Sequence, residues 1–158
     1  MIALHSQAVS CVVLRQGATM TEALLLKRSP KDGGFWSYVS GGVESGETGP
    51  EAAVREIFEE TGLTPVELYS ADYIEQYFQA QKNRIMLQPL FVAFVEASDL
   101  IVLNHEHTEY RWCGLEAALS LLSFNGQLKA LTHVWHQFVK KPPLDLLTIP
   151  IPSMGRHN

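Results

Sequence analysis

At 158 residues the chain is long enough for one globular domain with a substantial core and short for two. Apolar residues make up 46% and charged residues 18%, which excludes a disordered tail, and apolar runs such as 23–26 and 89–95 fall far short of the roughly 20 residues a membrane span needs. The net charge of −5 sits wholly within residues 41–63, where six glutamates face the single Arg55, so the balance argues against a Lys/Arg surface for binding a nucleic acid polymer.

The stretch before His5 has no basic flank and reads as no signal peptide. Residues 7–15 and 22–28 read as two Val- and Leu-rich strands joined around Gly17. Residues 29–34, with Pro30, Asp32 and a glycine pair, form a loop by composition. A short aromatic strand, 35–40, runs into Gly41-Gly42, and a helix follows. Residues 66–79 and 84–96 form a long strand pair in which Pro89 marks an edge or a bulge. A short strand at 109–113 leads to a short helix at 115–122 and a longer one at 125–140, with Asn125 as its N-cap and Leu128, Leu131, Trp135 and Phe138 at helical spacing. The domain spans 1–140, and 141–158, with four prolines, is an extended tail. Strands with helices inserted among and after them predict a layered α/β domain.

The helix after Gly42 carries the chemistry. Thr48 with Glu51 three residues on makes a capping-box start, and Gly62 is a natural stop. On a wheel of about 100° per residue, Ala53, Ile57, Thr61, Val54 and Phe58 share one arc, and Arg55, Glu59, Glu56 and Glu60 share the other. A merely solvated face fits poorly, because Glu56 and Glu60 are a like-charge pair four residues apart, costing roughly 0.2–0.5 kcal/mol, and Glu59 crowds both. A hard divalent cation such as Mg²⁺ or Mn²⁺ would reverse the sign of these interactions.

Residues 41–63, GGVESGETGPEAAVREIFEETGL, match the Nudix box pattern G-x5-E-x7-R-E-U-x-E-E-x-G-U, with U apolar, at every specified position. The chain thus resembles the Nudix hydrolases, and the resemblance implies a Nudix fold, an α/β/α sandwich with a mixed central β-sheet. It implies hydrolysis of a nucleoside diphosphate linked to another moiety, with Mg²⁺ as cofactor and Mn²⁺ as an alternative. Glu56, Glu59 and Glu60 would be metal-binding carboxylates and the Ser40 carbonyl a further ligand. Arg55 would orient Glu59, Glu47 would belong to the supporting network, and the Gly41-Gly42 turn would let the backbone approach metal and phosphate.

Residues 106–112, EHTEYRW, resemble a stretch of the bacterial dATP / dihydroneopterin triphosphate pyrophosphohydrolase branch. That likeness makes Glu106 an added metal-binding or catalytic carboxylate and Glu109 a weaker one; the competing reading is two solvent-exposed loop acids. The general base is left open between Glu56 and an acid of this later loop. His105 and His107 read as loop histidines. The same branch has an aromatic stretch before the box, so Trp36 is a candidate for stacking on the substrate ring, with core packing as its alternative. Arg28, ahead of Lys27, is the candidate phosphate contact. One departure is Ser40-Gly41-Gly42, where members of that branch often have Thr-Gly-Ser.

The expected activity is therefore a metal-dependent pyrophosphohydrolase acting on a nucleoside or pterin triphosphate. The alternatives are hydrolysis of ADP-ribose, a nucleotide sugar or a dinucleoside polyphosphate, and a non-catalytic nucleotide-sensing domain. The expected partner is a small nucleotide-like molecule, a homodimer being common in the family. Cys11 and Cys113 read as inert packing residues, and so few cysteines suit a reducing cytoplasm.

Overall fold

Strand β2 (Ala8–Gln16) shows how both faces of the sheet are built, in a computed structural model that describes residues 1–154. Its residues Val9, Cys11 and Val13 enter one buried cluster, and Val12 and Leu14 enter the other, as the two-residue period of an extended chain requires. Helix α1 (Gly49–Thr61) packs on the first face through Ala52, Ala53, Val54 and Ile57. Helices α2 (Leu115–Leu121) and α3 (Asn125–Val134) pack on the second through Ala118, Ala130, Leu131 and Val134. This is the expected α/β/α sandwich.

The sheet is mixed and has eight strands, the others being β1 (Ala3–His5), β3 (Thr21–Arg28), β4 (Trp36–Ser37), β5 (Val39–Gly42), β6 (Glu67–Gln79), β7 (Arg84–Phe94) and β8 (His107–Cys113). β2 lies parallel to β7 along one edge. Its other edge serves β5 over Ala8–Cys11 and β3 over Leu14–Gln16, both antiparallel. β8 covers the far edge of β3. This arrangement brings the C-terminal ends of β3 and β5 and the start of β8 together, and the loop 43–48 leads from β5 into α1.

Several expectations are corrected. β7 is an interior strand, bonded to β6 on one side and to β1 and β2 on the other. Pro89 is tolerated there because β1 pairing ends at Met86 and β2 pairing begins at Leu90, so the proline falls in the gap. The irregularity lies in the partner strand, where the β6 register shifts between Ser70 and Ile74 and Asp72 adopts φ 53°. Asn125 is the first residue of α3, whose N-cap is Phe124, and the helix continues after Val134 as a π-helical turn, Trp135–Val139, with Lys140 N–H bonded to the Trp135 carbonyl at 2.9 Å. Leu147 and Ile149 pack on the two cores, and Ile149 N–H donates to the Leu68 carbonyl at 2.8 Å, so this part of the tail lies against β6. Residues 155–158 of the expected tail lie outside the described residues. No helix among the described residues is long and apolar enough to cross a membrane.

Candidate active site

Helix α1 starts and stops as its sequence dictates. The Thr48 side chain accepts from Glu51 N–H, the Glu51 carboxylate accepts from Thr48 N–H at 2.7 Å, and Gly62 closes the helix at φ 74°. Its polar face is organised by Arg55. The guanidinium donates through Nε and Nη2 to the two oxygens of Glu47 at 2.7 and 2.9 Å, through Nη1 to Glu56 at 2.8 Å and Glu59 at 3.1 Å, and through Nη2 to the Gly42 carbonyl at 2.7 Å. One cation thus ties three box carboxylates to the loop before the helix.

The expected split of the helix into two arcs is shifted. Phe58 is 47% exposed, whereas Glu60 is 1% exposed and belongs to the buried side. Glu60 follows Ala53 by seven residues, close to two full turns, so it lies only about 20° from the residue at the centre of the packed face. The burial is expensive. Desolvation, reinforced by Glu56 and Glu106, pushes the Glu60 carboxyl up to about 9, with Arg28 and the Ser40 backbone opposing. Burial likewise raises Glu56, against the opposing pull of Arg55. Glu59, at 51% side-chain exposure, sits on the outer rim of the cluster.

Beside Glu60 the structure brings in Glu106 and His107, the ligand atoms of the three lying within 4.8 Å of one another. His107 belongs to β8, not to a loop, and its side chain is buried. Its proton can be placed by bookkeeping. Asn104 Oδ1 accepts from Glu106 N–H at 3.2 Å, so the Nδ1 of His107, 3.3 Å from the same oxygen, must donate to it. Burial and Arg28 hold this imidazole below its ordinary value, favouring the neutral ring. The Nε2 lone pair then faces Glu60 Oε1 at 3.7 Å, acceptor against acceptor, while Glu60 Oε2 is buried without a partner. Such a set needs a proton or a cation between its members, and carboxylate oxygens with one imidazole fit a divalent ion. The sequence carries no signal for His107: two-residue alternation would group it with the exposed Glu109 and Arg111, and it is buried where the β3/β8 register shifts between Lys27 and Arg28.

The cluster opens into a cavity of about 760 Å³. Glu56, Glu106, Arg28, Ser40, Gly41 and Gly42 line one part of it. A Cβ on Gly41 would fall on the Glu56 carboxylate, so the absence of a side chain lets Glu56 cross the strand. Arg28 Nη2 donates to Ser40 Oγ at 3.3 Å, and its Nε is buried without a partner. Lys27 points elsewhere, to Glu109 at 3.9 Å. Trp36 packs against the α2/α3 core with Arg111 over its ring, whereas its neighbours Phe35 and Ser37 line the cavity. Alternation along the strand explains this, and it makes Phe35 the aromatic that sequence reading missed. Phe35 stands edge-to-face with Phe124, their centroids 5.1 Å apart. Ser10, Glu75, Gln88 and Gln127 also line this space.

The NUDIX domain profile matches residues 4–134. The asymmetrical bis(5'-nucleosyl)-tetraphosphatase of Rattus norvegicus is 35% identical over 130 residues, covering 79% of this chain and 85% of that protein. Dihydroneopterin triphosphate diphosphatase of Escherichia coli K12 is 29% identical over 128 residues, covering 74% and 85%. An octanoyltransferase of Myxococcus xanthus is 33% identical over 122 residues, but the match spans only 34% of that protein's length. Among solved structures, a Caenorhabditis elegans Ap4A hydrolase in a binary complex aligns with a TM-score of 0.71 at 28% identity, over 85% of this chain and 96% of its own. With the profile covering most of its length, and Gly41 and Glu56 of the box in the wall of the cavity, the chain belongs to the Nudix hydrolase family.

Proposed function

We propose that the chain is a divalent-metal-dependent pyrophosphohydrolase that cleaves a phosphoanhydride bond of a nucleoside, deoxynucleoside or pterin triphosphate, releasing monophosphate and pyrophosphate. The observation that carries this reading is the continuity of one cavity, with Glu56, Glu106, Arg28 and Ser40 in its wall beside Phe35, Phe124 and Gln127. The first group suits phosphates and their counter-ions, the second a planar ring.

Glu56, Glu59, Glu60 and Glu106, with the Ser40 carbonyl, would hold Mg²⁺ or Mn²⁺, and His107 joins them from the geometry. Bound there, such a cation supplies neutralising charge to the phosphate oxygens and acidifies a water molecule. The chain's own groups do the rest. Arg28, whose Nε has no internal partner, reaches a phosphate oxygen in the same cavity. Arg55 holds Glu56 and Glu59 in place and is itself braced by Glu47, so both residues act by positioning. Gly41 and Gly42 let the backbone approach the substrate. Glu56 or Glu106 takes the proton as water oxygen bonds to phosphorus and the bridging P–O bond breaks, pyrophosphate leaving.

A second reading, hydrolysis of a dinucleoside tetraphosphate, is favoured by the 35% identity to the rat tetraphosphatase. Incubation with Mg²⁺ and a panel of dATP, GTP, dihydroneopterin triphosphate, a dinucleoside tetraphosphate and ADP-ribose separates the readings by product. Pyrophosphate from a triphosphate is the expected result. A nucleoside triphosphate released from the tetraphosphate, or two monophosphates from ADP-ribose, would replace it, and no turnover at all despite metal binding would make the chain a sensor. Two buried free thiols, Cys11 and Cys113, support a reducing compartment such as the cytoplasm.

A further inference from the structure

The cavity contains a carboxylate that the chemistry above does not use. On the face of the sheet covered by α3, β2 carries Val12 and Leu14 into the core, but its earlier residues Ala8 and Ser10 line the cavity. β7 does the same, with Leu90 and Val92 in the core and Gln88 in the cavity. Glu75 of β6 sits directly across the ladder from Gln88. The face therefore changes from apolar to polar where the cavity begins, and Glu75, only 6% exposed, lies in the polar part.

Ser10 Oγ donates to Gln88 Oε1 at 2.9 Å, and Gln88 Nε2 donates to Tyr77 Oη at 3.4 Å, so both ends of that amide are engaged. The Tyr38 hydroxyl donates to Glu75 Oε1. The Ser10 hydroxyl also lies beside Glu75, but its single proton is directed to Gln88. Among the described residues no Lys, Arg or His side chain forms an ion pair with Glu75. An ionised carboxylate offers about four acceptor sites, and here one firm donor serves them. Burial with so little compensation raises the group's proton affinity.

We infer that Glu75, held by Tyr38, is a specificity-determining residue that binds the ring of the substrate through two adjacent N–H donors, a ring N–H beside an exocyclic amino group. That edge is common to guanine and pterin rings, and it meets a carboxylate as two parallel N–H···O bonds. Adenine presents one donor next to a ring-nitrogen acceptor, which a carboxylate opposes and an amide would accommodate. Phe35 and Phe124, packed edge-to-face on each other in the same cavity, offer an aromatic surface for a planar ring. The inference deepens the proposed function and rests on its nucleotide-like substrate class.

Calorimetric titration of the intact protein with GMP, IMP and AMP tests it without any need for turnover. IMP keeps the ring N–H of GMP and lacks only the amino group. GMP is expected to bind about 10–100-fold more tightly than IMP, and more tightly than AMP. In Glu75→Gln the GMP preference over IMP should collapse to within about twofold, while AMP gains on GMP, a reversal that mere loosening of the fold would not produce. A pterin monophosphate run in parallel distinguishes the two ring sources, and amino-dependent binding in either arm supports the inference. Equal binding of GMP and IMP with no pterin preference, no binding of any of these ligands, or an unchanged ratio in Glu75→Gln overturns it. Should Glu75→Gln not fold, the wild-type comparison of GMP with IMP decides alone. Amino-dependent binding without hydrolysis of any triphosphate would leave this inference standing and remove the proposed function; pyrophosphate release with equal rates and affinities for guanine and hypoxanthine would do the reverse.

Discussion

Arg55 and Glu47 meet fork to fork, Nε to Oε1 at 2.7 Å and Nη2 to Oε2 at 2.9 Å, across the loop that leads into α1. The pair leaves Nη1 of the same guanidinium for Glu56 and Glu59. A planar cation with five donors can serve these acceptors together, and a lysine ammonium cannot reproduce that geometry. Arg55→Lys is therefore expected to lower kcat by about 10–100-fold with KM changed less, and to reduce Tm by a few degrees. Steady-state kinetics and a thermal melt check both; retention of full activity would mean that charge alone, not the fork, holds the carboxylates.

The buried Glu60 makes stability depend on pH in a definite direction. Burial pushes its carboxyl from the ordinary 4.5 up to about 9, so its contribution to stability is fully present below the lower value and is lost as pH rises through the upper one. Glu56 and Glu75 are shifted in the same direction. Metal-free protein, kept so with chelator, should melt about 5–10 °C lower at pH 9 than at pH 5.5. Saturating Mg²⁺ should reduce that difference, and Glu60→Gln should flatten it. A melting temperature that rises with pH over this window would contradict the placement of these carboxylates.

Gly41 supplies a third test. An added methyl would collide with the Glu56 carboxylate, the far end of a flexible side chain, and not with backbone. The fold should therefore tolerate Gly41→Ala, with Tm within a few degrees of wild type, while displacement of Glu56 lowers kcat/KM by about 10–100-fold. Melting and kinetics measured together separate these effects. An active variant would show that Glu56 does not need to cross this strand.

How much of this was legible in the sequence follows from the distance over which each feature is built. The box reads directly, because Glu47, Arg55, Glu56 and Glu59 lie within one loop and one helix, where spacing fixes geometry. The two capping residues of α1 read for the same reason. Hydrophobicity ranks Phe58 for burial ahead of a glutamate and so misplaces Glu60, although its angular position beside Ala53 favours the buried side. The Tyr38–Glu75 and Ser10–Gln88 contacts could not be read, since they depend on which strands become neighbours and in what register, across sequence separations of 37 and 78 residues. Trp36 and Phe35 differ by one residue, and only the strand register chooses which of them faces the cavity.

Glu59 and Glu60 are adjacent in sequence yet stand in opposite environments, and their amide variants should separate accordingly. Glu59 is half exposed and bonded to Arg55 at 3.1 Å; Glu60 is buried, with one oxygen unpartnered and the other facing His107. Both Glu59→Gln and Glu60→Gln remove a carboxylate from the proposed metal-binding set and are expected to lower kcat by about 10²–10³-fold or more. Their effects on stability should differ. In metal-free protein at pH 8, Glu60→Gln removes a group whose ionisation burial opposes and should raise Tm, while Glu59→Gln should leave it nearly unchanged. Equilibrium titration with Mn²⁺ should show weakened binding in both variants. Near-normal turnover in either would remove that residue from the proposed metal-binding set, and a lower Tm for Glu60→Gln would mean that its carboxylate is satisfied inside the fold without any cation.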